Sequence, residues 1–255
     1  MLSEYAENTV MKTLAFSLII ISLWSCSKSK FQSSQLDASS GANGSLGNWD
    51  VPSSTDVGST TSFKFQPLAW ESKVAGSAGW SQSVYNIIKA EEPQMLGQNV
   101  ADDVETYCPK YRSLNDDQRL NFWGQLFAGM AKYESGWKPT SRMVETTMGI
   151  DPFTGRQVAS EGLLQLSYQD ETSYKLDCGF DWNVDQNLSD SDPNKTIFDA
   201  HNNLRCGVKI MARQLRNKRA IGLPSGVYWA VLKIGGAYTQ ISGISAITKS
   251  LKFCN

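Results

Sequence analysis

The stretch Leu120-Asn-Phe-Trp-Gly-Gln-Leu-Phe-Ala-Gly-Met-Ala-Lys-Tyr-Glu134-Ser135-Gly136-Trp137 decides how this chain reads. Leu120, Trp123, Phe127, Met130 and Glu134 recur at helical spacing, so a carboxyl group shares the apolar face of a helix. Ser113 or Asn115 can cap that helix, with Asp116 and Asp117 in its first turn. Gly136 and Pro139 end it, leaving Glu134 in the last turn, where the negative end of the helix dipole disfavours a carboxylate. Loss of hydration on an apolar face acts in the same direction. Both effects raise the carboxyl pKa, which keeps a general acid protonated near neutral pH. The plain structural alternative is an ion pair between Glu134 and Lys138 or Arg142.

Two further blocks follow in order, Ser160-Glu161-Gly162-Leu163-Leu164-Gln165-Leu166-Ser167 and Asn203-Leu204-x-x-Gly207-x-x-x-Met211. Composition becomes globular at about Phe63, and Trp70, Trp80, Tyr85, Ile87 and Ile88 mark the first helical material. Residues 138 to 161 are turn-rich and fit a small hairpin. A helix beginning near Gly162 would carry Leu163, Leu166 and Tyr168. Residues 177 to 195 read as an acidic loop. Leu204, Val208, Met211 and Leu215 then form an amphipathic helix capped near Asp199. Tyr228 to Ile234 and Ser242 to Leu251 read as two more helices joined through Gly235-Gly236. The expected fold is mainly α, an α+β arrangement in which a helical bundle surrounds a cleft with a small β or irregular insertion.

The 255 residues suffice for one domain with extensions, and a net charge of −1 argues against nucleic acid as a partner. Met11-Lys12-Thr13 and the apolar run Leu14 to Leu23 form a leader too short to span a membrane, which takes about 20 apolar residues. The run ends Leu23-Trp24-Ser25-Cys26, similar to a bacterial lipobox, so Cys26 is the candidate lipidation site and Met11 the expected true start. An ordinary secretory signal is the alternative. Residues 1–26 are therefore read as leader, 27–62 as a Ser- and Gly-rich tether too polar to bury a core, and 63–255 as the folded domain. Either leader sends the protein out of the cytoplasm, as a periplasmic or outer-membrane lipoprotein or as a secreted protein.

After Cys26, an even set remains: Cys108, Cys178, Cys206 and Cys254. In an exported chain this favours two disulfides, and four cysteines allow three pairings. Cys178 with Cys206 would tie the acidic loop to the following helix. Cys108 with Cys254 would clamp the ends of the domain, worth about 4–5 kcal/mol in the chain-entropy model. That pairing is preferred over a zinc site, for which the chain lacks a CxxC pair and has one histidine, His201.

In this order, Tyr133-Glu134-Ser135-Gly136-Trp137, the Gly162 to Leu166 block and the Asn203 block resemble the lytic transglycosylase domain related to goose-type lysozyme, over residues 105 to 254. The resemblance implies cleavage of peptidoglycan glycan strands between N-acetylmuramic acid and N-acetylglucosamine, by a monomer that needs no metal or organic cofactor. It implies that Glu134 protonates the glycosidic oxygen, that Ser135 helps orient substrate, and that Gln165 lines the cleft. The family's Ala-Tyr-Asn-x-Gly segment is not matched; aligned on Gly235, Leu232 and Lys233 stand where Tyr and Asn belong. The tyrosine role then falls to Tyr228 or Tyr238. A lipid on Cys26 would hold the domain at a membrane. The opposing class is a non-catalytic peptidoglycan-binding envelope lipoprotein that has kept the fold.

A glycosidase that uses water normally needs two carboxylates, whereas a lytic transglycosylase manages with one. The position after Leu166, where goose-type hydrolases carry an aspartate, is Ser167. Glu145, Asp151 and Glu161 are the candidate second carboxylates, with Glu161 and Glu145 preferred over Asp170 and Glu171, which read as surface-solvated. Hydrolase and transglycosylase both stay open. Between Glu134 and Asp192 stand eleven Asp or Glu against four Lys or Arg, whereas residues 205 to 219 hold six Lys or Arg and no acid. An acidic cleft suits glycan whose amino sugars are de-N-acetylated and cationic. In that respect the chain is similar to deacetylation-specific lysozymes.

Overall fold

The computed structural model describes residues 63–255. The leader, Met11, Cys26 and the tether lie outside the described residues. Seven α-helices run along the described chain: α1 (Ala78–Glu91), α2 (Val104–Tyr107), α3 (Asp116–Glu134), α4 (Tyr168–Tyr174), α5 (Trp182–Asp185), α6 (Ala200–Lys218) and α7 (Ile241–Lys249). Strands β1 (Arg142–Val144) and β2 (Ala159–Glu161) form one antiparallel hairpin between α3 and α4, with Met143 opposite Ser160. This is the mainly helical, α+β lysozyme-like fold expected from the sequence.

Helix α3 is central. Asn115 accepts the Gln118 N–H at 2.9 Å, and the Gln118 side chain accepts the Asn115 N–H at 3.0 Å, so the start is closed by a reciprocal cap. Every residue from Leu120 to Ala131 is buried. One apolar face is therefore too narrow a description, since α1 packs on one side and α7 on another. Two buried amides make this possible without orphaned polar groups. Asn121 accepts the Gln66 N–H at 2.7 Å and donates to its carbonyl, while Gln125 accepts the Ala69 N–H at 2.9 Å and donates to Ile247 O at 3.2 Å. They lash the extended segment at 63–69 along α3.

Cys108 is bonded to Cys254 and Cys178 to Cys206, which closes spans of 146 and 28 residues. Two disulfides fit an oxidising, exported compartment. Among the described residues no helix is long and apolar enough to cross a membrane.

Three sequence expectations are corrected. No helix begins at Gly162. Glu161 and Leu166 exchange backbone hydrogen bonds at 2.7 and 2.9 Å, so residues 162–165 form a tight turn, and α4 starts at Tyr168. Gly162 has φ +81°, outside the helical region, and a β-carbon there would collide with the Asn203 amide. Residues 228–234 contain a single 3-10 turn, Ala230–Leu232, because Trp229 is committed to an extended conformation with its indole N–H on Leu164 O at 2.9 Å. The acidic loop at 177–195 is ordered around the fully buried Asp185, which accepts the Tyr168 hydroxyl at 2.7 Å and the Thr196 N–H at 2.9 Å. It also contains α5.

Helix α6 starts at Asp199, which accepts the Asn202 N–H at 2.9 Å, and its buried face explains the third motif. Asn203 is wholly buried; it accepts the Leu164 N–H at 2.8 Å and donates to Glu161 O and Ile197 O, both at 3.1 Å. One turn later, Gly207 leaves room for Leu164, whose Cδ1 occupies the space of a β-carbon. Gly207→Ala gains up to about 1 kcal/mol of helix propensity but overpacks Leu164 at a cost of about 1–3 kcal/mol. The expected result is a lower urea midpoint with an unchanged slope; an unaltered or raised midpoint would show that Leu164 repacks freely.

Candidate active site

Glu134 is the last residue of α3, and the chain turns sharply after it. Ser135 closes the helix, then Gly136 and Trp137 both take φ +62°. The Trp137 indole donates to Ala128 O at 2.8 Å, folding the segment back against α3. Oε1 of Glu134 is buried and has no hydrogen-bond partner. Burial pushes the Glu134 pKa up from 4.5 to about 7, and the charge of Glu145 adds to the shift. Neither Lys138 nor Arg142 pairs with it; Arg142 reaches Glu161 at 3.2 Å and Asp190 at 3.3 Å.

The hairpin supplies Glu145. It directly follows β1, where its N–H donates to Val158 O at 2.8 Å, and its carboxylate accepts the Ser160 hydroxyl at 2.5 Å. Strand pairing thus carries a second carboxylate into the field of Glu134. Within the acidic stretch between residues 134 and 192, this pair stands apart by its lack of partners. Nine of the eleven acids hold a backbone N–H or a cation: Asp151, Asp170, Glu171, Asp181, Asp185 and Asp192 take N–H groups, while Glu161, Asp177 and Asp190 take cations. Glu134 and Glu145 hold neither among the described residues.

Glu161 does not serve as the second carboxylate. It is 3 % exposed and locked to Lys195 Nζ at 2.5 Å and to Arg142. Burial raises its pKa while Lys195 opposes the rise. Its work is to join β2 to the loop before α6. Asp151 closes the hairpin tip by accepting the Phe153 and Thr154 N–H groups. The hydroxyl of Ser135 donates to Ala131 O at 3.1 Å, so it serves the helix end rather than the open side. Gln165, half-buried at φ +52°, donates to Gly162 O at 2.9 Å and Ser141 O at 3.3 Å and so braces the turn behind the hairpin.

Of the two tyrosines, Tyr228 lies close enough to Glu134 for that charge to raise its own pKa, after the larger effects of burial and Asp170. Tyr238 is 75 % exposed and makes no side-chain hydrogen bond among the described residues. It stands in the turn before α7, outside this cluster. Tyr228 donates its hydroxyl proton to Asp170. Asp170 is buried, not solvated as the sequence suggested, and also accepts the Ser167 N–H at 2.7 Å and hydroxyl at 2.9 Å. With that proton committed, the phenol offers only lone pairs to the cleft. The spacing Ser167-x-x-Asp170 is a capping-box pattern, the signal from which Asp170 could have been found.

Trp123 and Trp229 are buried and Trp137 is half-buried against the core, so none of the three is free to stack on a sugar with its full face. His201 is exposed in the first turn of α6. Among the described residues no group of three or more His, Cys, Asp or Glu side chains is placed to hold a metal ion.

No protein-family model and no curated protein sequence matches the chain. Solved structures do. Wild-type Bd0314 DslA (form 2) superposes with a TM-score of 0.62 at 28% identity, covering 76% of this chain and 100% of that one. Two further structures of Bd0314 DslA, each with one glutamate exchanged for glutamine, give the same TM-score of 0.62 at 27% and 28% identity with the same coverage. Their two exchanged glutamates lie eleven residues apart in that chain, the separation of Glu134 and Glu145 here.

Proposed function

We propose that this protein is an exported muramidase that hydrolyses the β-1,4 bonds of peptidoglycan glycan strands, with Glu134 as general acid and Glu145 as the second carboxylate. The observation that carries the reading is the Glu134 carboxyl: one oxygen is buried without a partner, burial pushes its pKa up to about 7, and the charge of Glu145 is close enough to add to the rise. Binding alone has no use for such a group, because a neutral side chain would sit there at lower cost. Glu134 donates its proton to the glycosidic oxygen as the C1–O bond breaks. Water adds to C1 and gives its proton to Glu145, leaving a new reducing end. A second carboxylate removes the need for the substrate's own N-acetyl group as nucleophile, so hydrolysis is favoured over the transglycosylase outcome.

The same pair favours glycan whose amino sugars are de-N-acetylated. Such sugars are cationic and lack the internal nucleophile, and Glu134 and Glu145 are the acids of this region left without cation or backbone partners. No cofactor enters any step. Lipidation at Cys26, in this reading, would keep the domain at a membrane surface while it works on wall glycan.

Mass spectrometry of fragments released from native and de-N-acetylated walls tests the reading. The expected products carry reducing ends and accumulate faster from the de-N-acetylated wall; 1,6-anhydro ends would make it a transglycosylase, and no products from either wall a binding module. Glu134→Gln is expected to lower the rate by about 10²–10⁴, and unchanged cutting would mean a different acid. Because Glu134 must be protonated, the wild-type rate is expected to fall as pH rises through about 7. Removing the Glu145 charge by Glu145→Gln lowers the Glu134 pKa, so the alkaline limb of the residual activity moves to lower pH; an unmoved limb would place Glu145 outside the site.

Stability also falls as pH rises, but removing the carboxyl acts on it with the opposite sign. The folded carboxyl titrates near 7 and its free counterpart at 4.5, so folding retains a proton that the unfolded chain gives up between them. Stability from this group is complete below pH 4.5 and is lost as pH rises through 7. Glu134→Gln is therefore expected to stabilise the domain at pH 8 by about 1–3 kcal/mol, with little gain at pH 4. Urea titrations at the two pH values measure this, and equal shifts at both would remove the ionisation argument.

A further inference from the structure

Helix α6 carries five Lys or Arg from residue 205 onward and Arg219 caps its end; most of the six are neutralised. Arg205 and Lys209 pair with Glu91, Arg216 with Glu92 and Arg219 with Asp102. Arg213 and Lys218 have no ion pair among the described residues. Both line one cavity of about 250 Å³, together with Tyr174, Gln214, Asn217 and Tyr228, and no acid contributes to its wall. The Arg213 guanidinium lies 4.7 Å from the centre of the Tyr174 ring, which orients it while leaving its N–H edge free. Tyr174 in turn meets Tyr228 edge-on at 6.3 Å. Tyr228 thus lines the Arg213 cavity and also lies close enough to Glu134 to feel its charge.

We propose that this cavity is a subsite for a carboxylate of the substrate, and that its occupant is the peptide stem carried on the muramyl sugar adjacent to the scissile bond. The inference rests on the muramidase reading above and adds the part of the substrate that is not sugar. The two charge environments that Tyr228 borders match that substrate. A de-N-acetylated muropeptide presents an ammonium group on its sugar and carboxylates along its stem. The acid pair faces the first and Arg213 with Lys218 the second. A guanidinium held by stacking accepts a carboxylate through two parallel N–H···O bonds, which a lysine at the same position cannot reproduce. Asn217, one helical turn from Arg213, adds an amide to the same wall. The Tyr228 hydroxyl, committed to Asp170, cannot donate to the stem, so recognition falls to the two cations.

The test compares soluble de-N-acetylated glycan strands that keep their stems with the same strands stripped by an amidase. Wild-type enzyme is expected to show kcat/KM about tenfold higher on stem-bearing strands, as a charge-assisted hydrogen-bond pair allows. Arg213→Gln should collapse that ratio towards one, Arg213→Lys should restore only part of it, and Lys218→Gln should reduce it. Circular dichroism and thermal melting confirm that each variant is folded. Equal wild-type rates on the two substrates, or an Arg213→Gln loss that is the same on both, would overturn the subsite while leaving the muramidase reading intact. Absence of wild-type cutting on both substrates would instead overturn the muramidase reading itself.

Discussion

One buried amide organises the functional half of this molecule. Asn203 holds the Leu164 N–H, the Glu161 carbonyl and the Ile197 carbonyl together at 2.8 to 3.1 Å, with no exposure to solvent. Two chain segments, the turn at 161–166 and the stretch around Ile197, would need water for those groups and are thereby joined to α6. The turn at 162–165 then fixes where β2 ends, β2 fixes β1 through their pairing, and β1 delivers Glu145. The indole of Trp229 takes the remaining Leu164 carbonyl and holds the neighbouring Tyr228 at the other side of the site. A carboxylate and a phenol from distant parts of the sequence are thus placed by one satisfied polar network. Such networks are costly when a member is missing, which is why they specify a single arrangement.

The Glu134 pocket obeys the opposite rule. Its Oε1 is buried without a partner, although the rest of the domain satisfies nearly every buried side-chain polar atom. Two chemical demands compete there. Stability favours a neutral or hydrogen-bonded group, whereas a general acid must keep its proton until a substrate oxygen arrives. A partner on Oε1 that stabilised the carboxylate would lower the pKa and discharge the acid before use. The protein resolves the competition by withholding cations: Arg142 of the hairpin and Lys195 of the loop before α6 are consumed by Glu161. Glu161 thus contributes to the site by occupying cations, not by touching substrate.

Much of this was legible in the sequence, and the failures have physical causes. The central helix, its cap at Asn115, the carboxyl at its end and the α6 face follow from local rules in which spacing and caps act within a few residues. Glu145 and Glu161 could not be ranked from sequence, because their roles depend on which one a cation reaches, and Lys195 lies 34 residues from Glu161. Tyr228 and Tyr238 were equivalent for the same reason, their difference arising from the packing of Trp229 and Asp170. The run Gly162-Leu-Leu-Gln-Leu was read as helical on its leucines, yet tertiary contacts from Asn203 and Gly207 override that propensity. The acidic composition was real, but backbone N–H groups in turns absorb most of it, a use of Asp that local rules already describe.

Tyr228 is held by a carboxylate that the turn into α4 positions, and Ser167 is the cap of that helix. Asp170, three residues on, reaches back to the Ser167 N–H and hydroxyl and accepts the Tyr228 proton. Burial raises the Asp170 pKa, and the three donors that converge on one oxygen oppose that rise without cancelling it. Asp170 on α4 and Tyr228 in the segment before the 3-10 turn at Ala230 are thus joined across 58 residues of sequence. The phenol held in this way lines the Arg213 cavity and lies close enough to Glu134 to feel its charge, so one buried carboxylate sets the position of a ring that borders both charge environments.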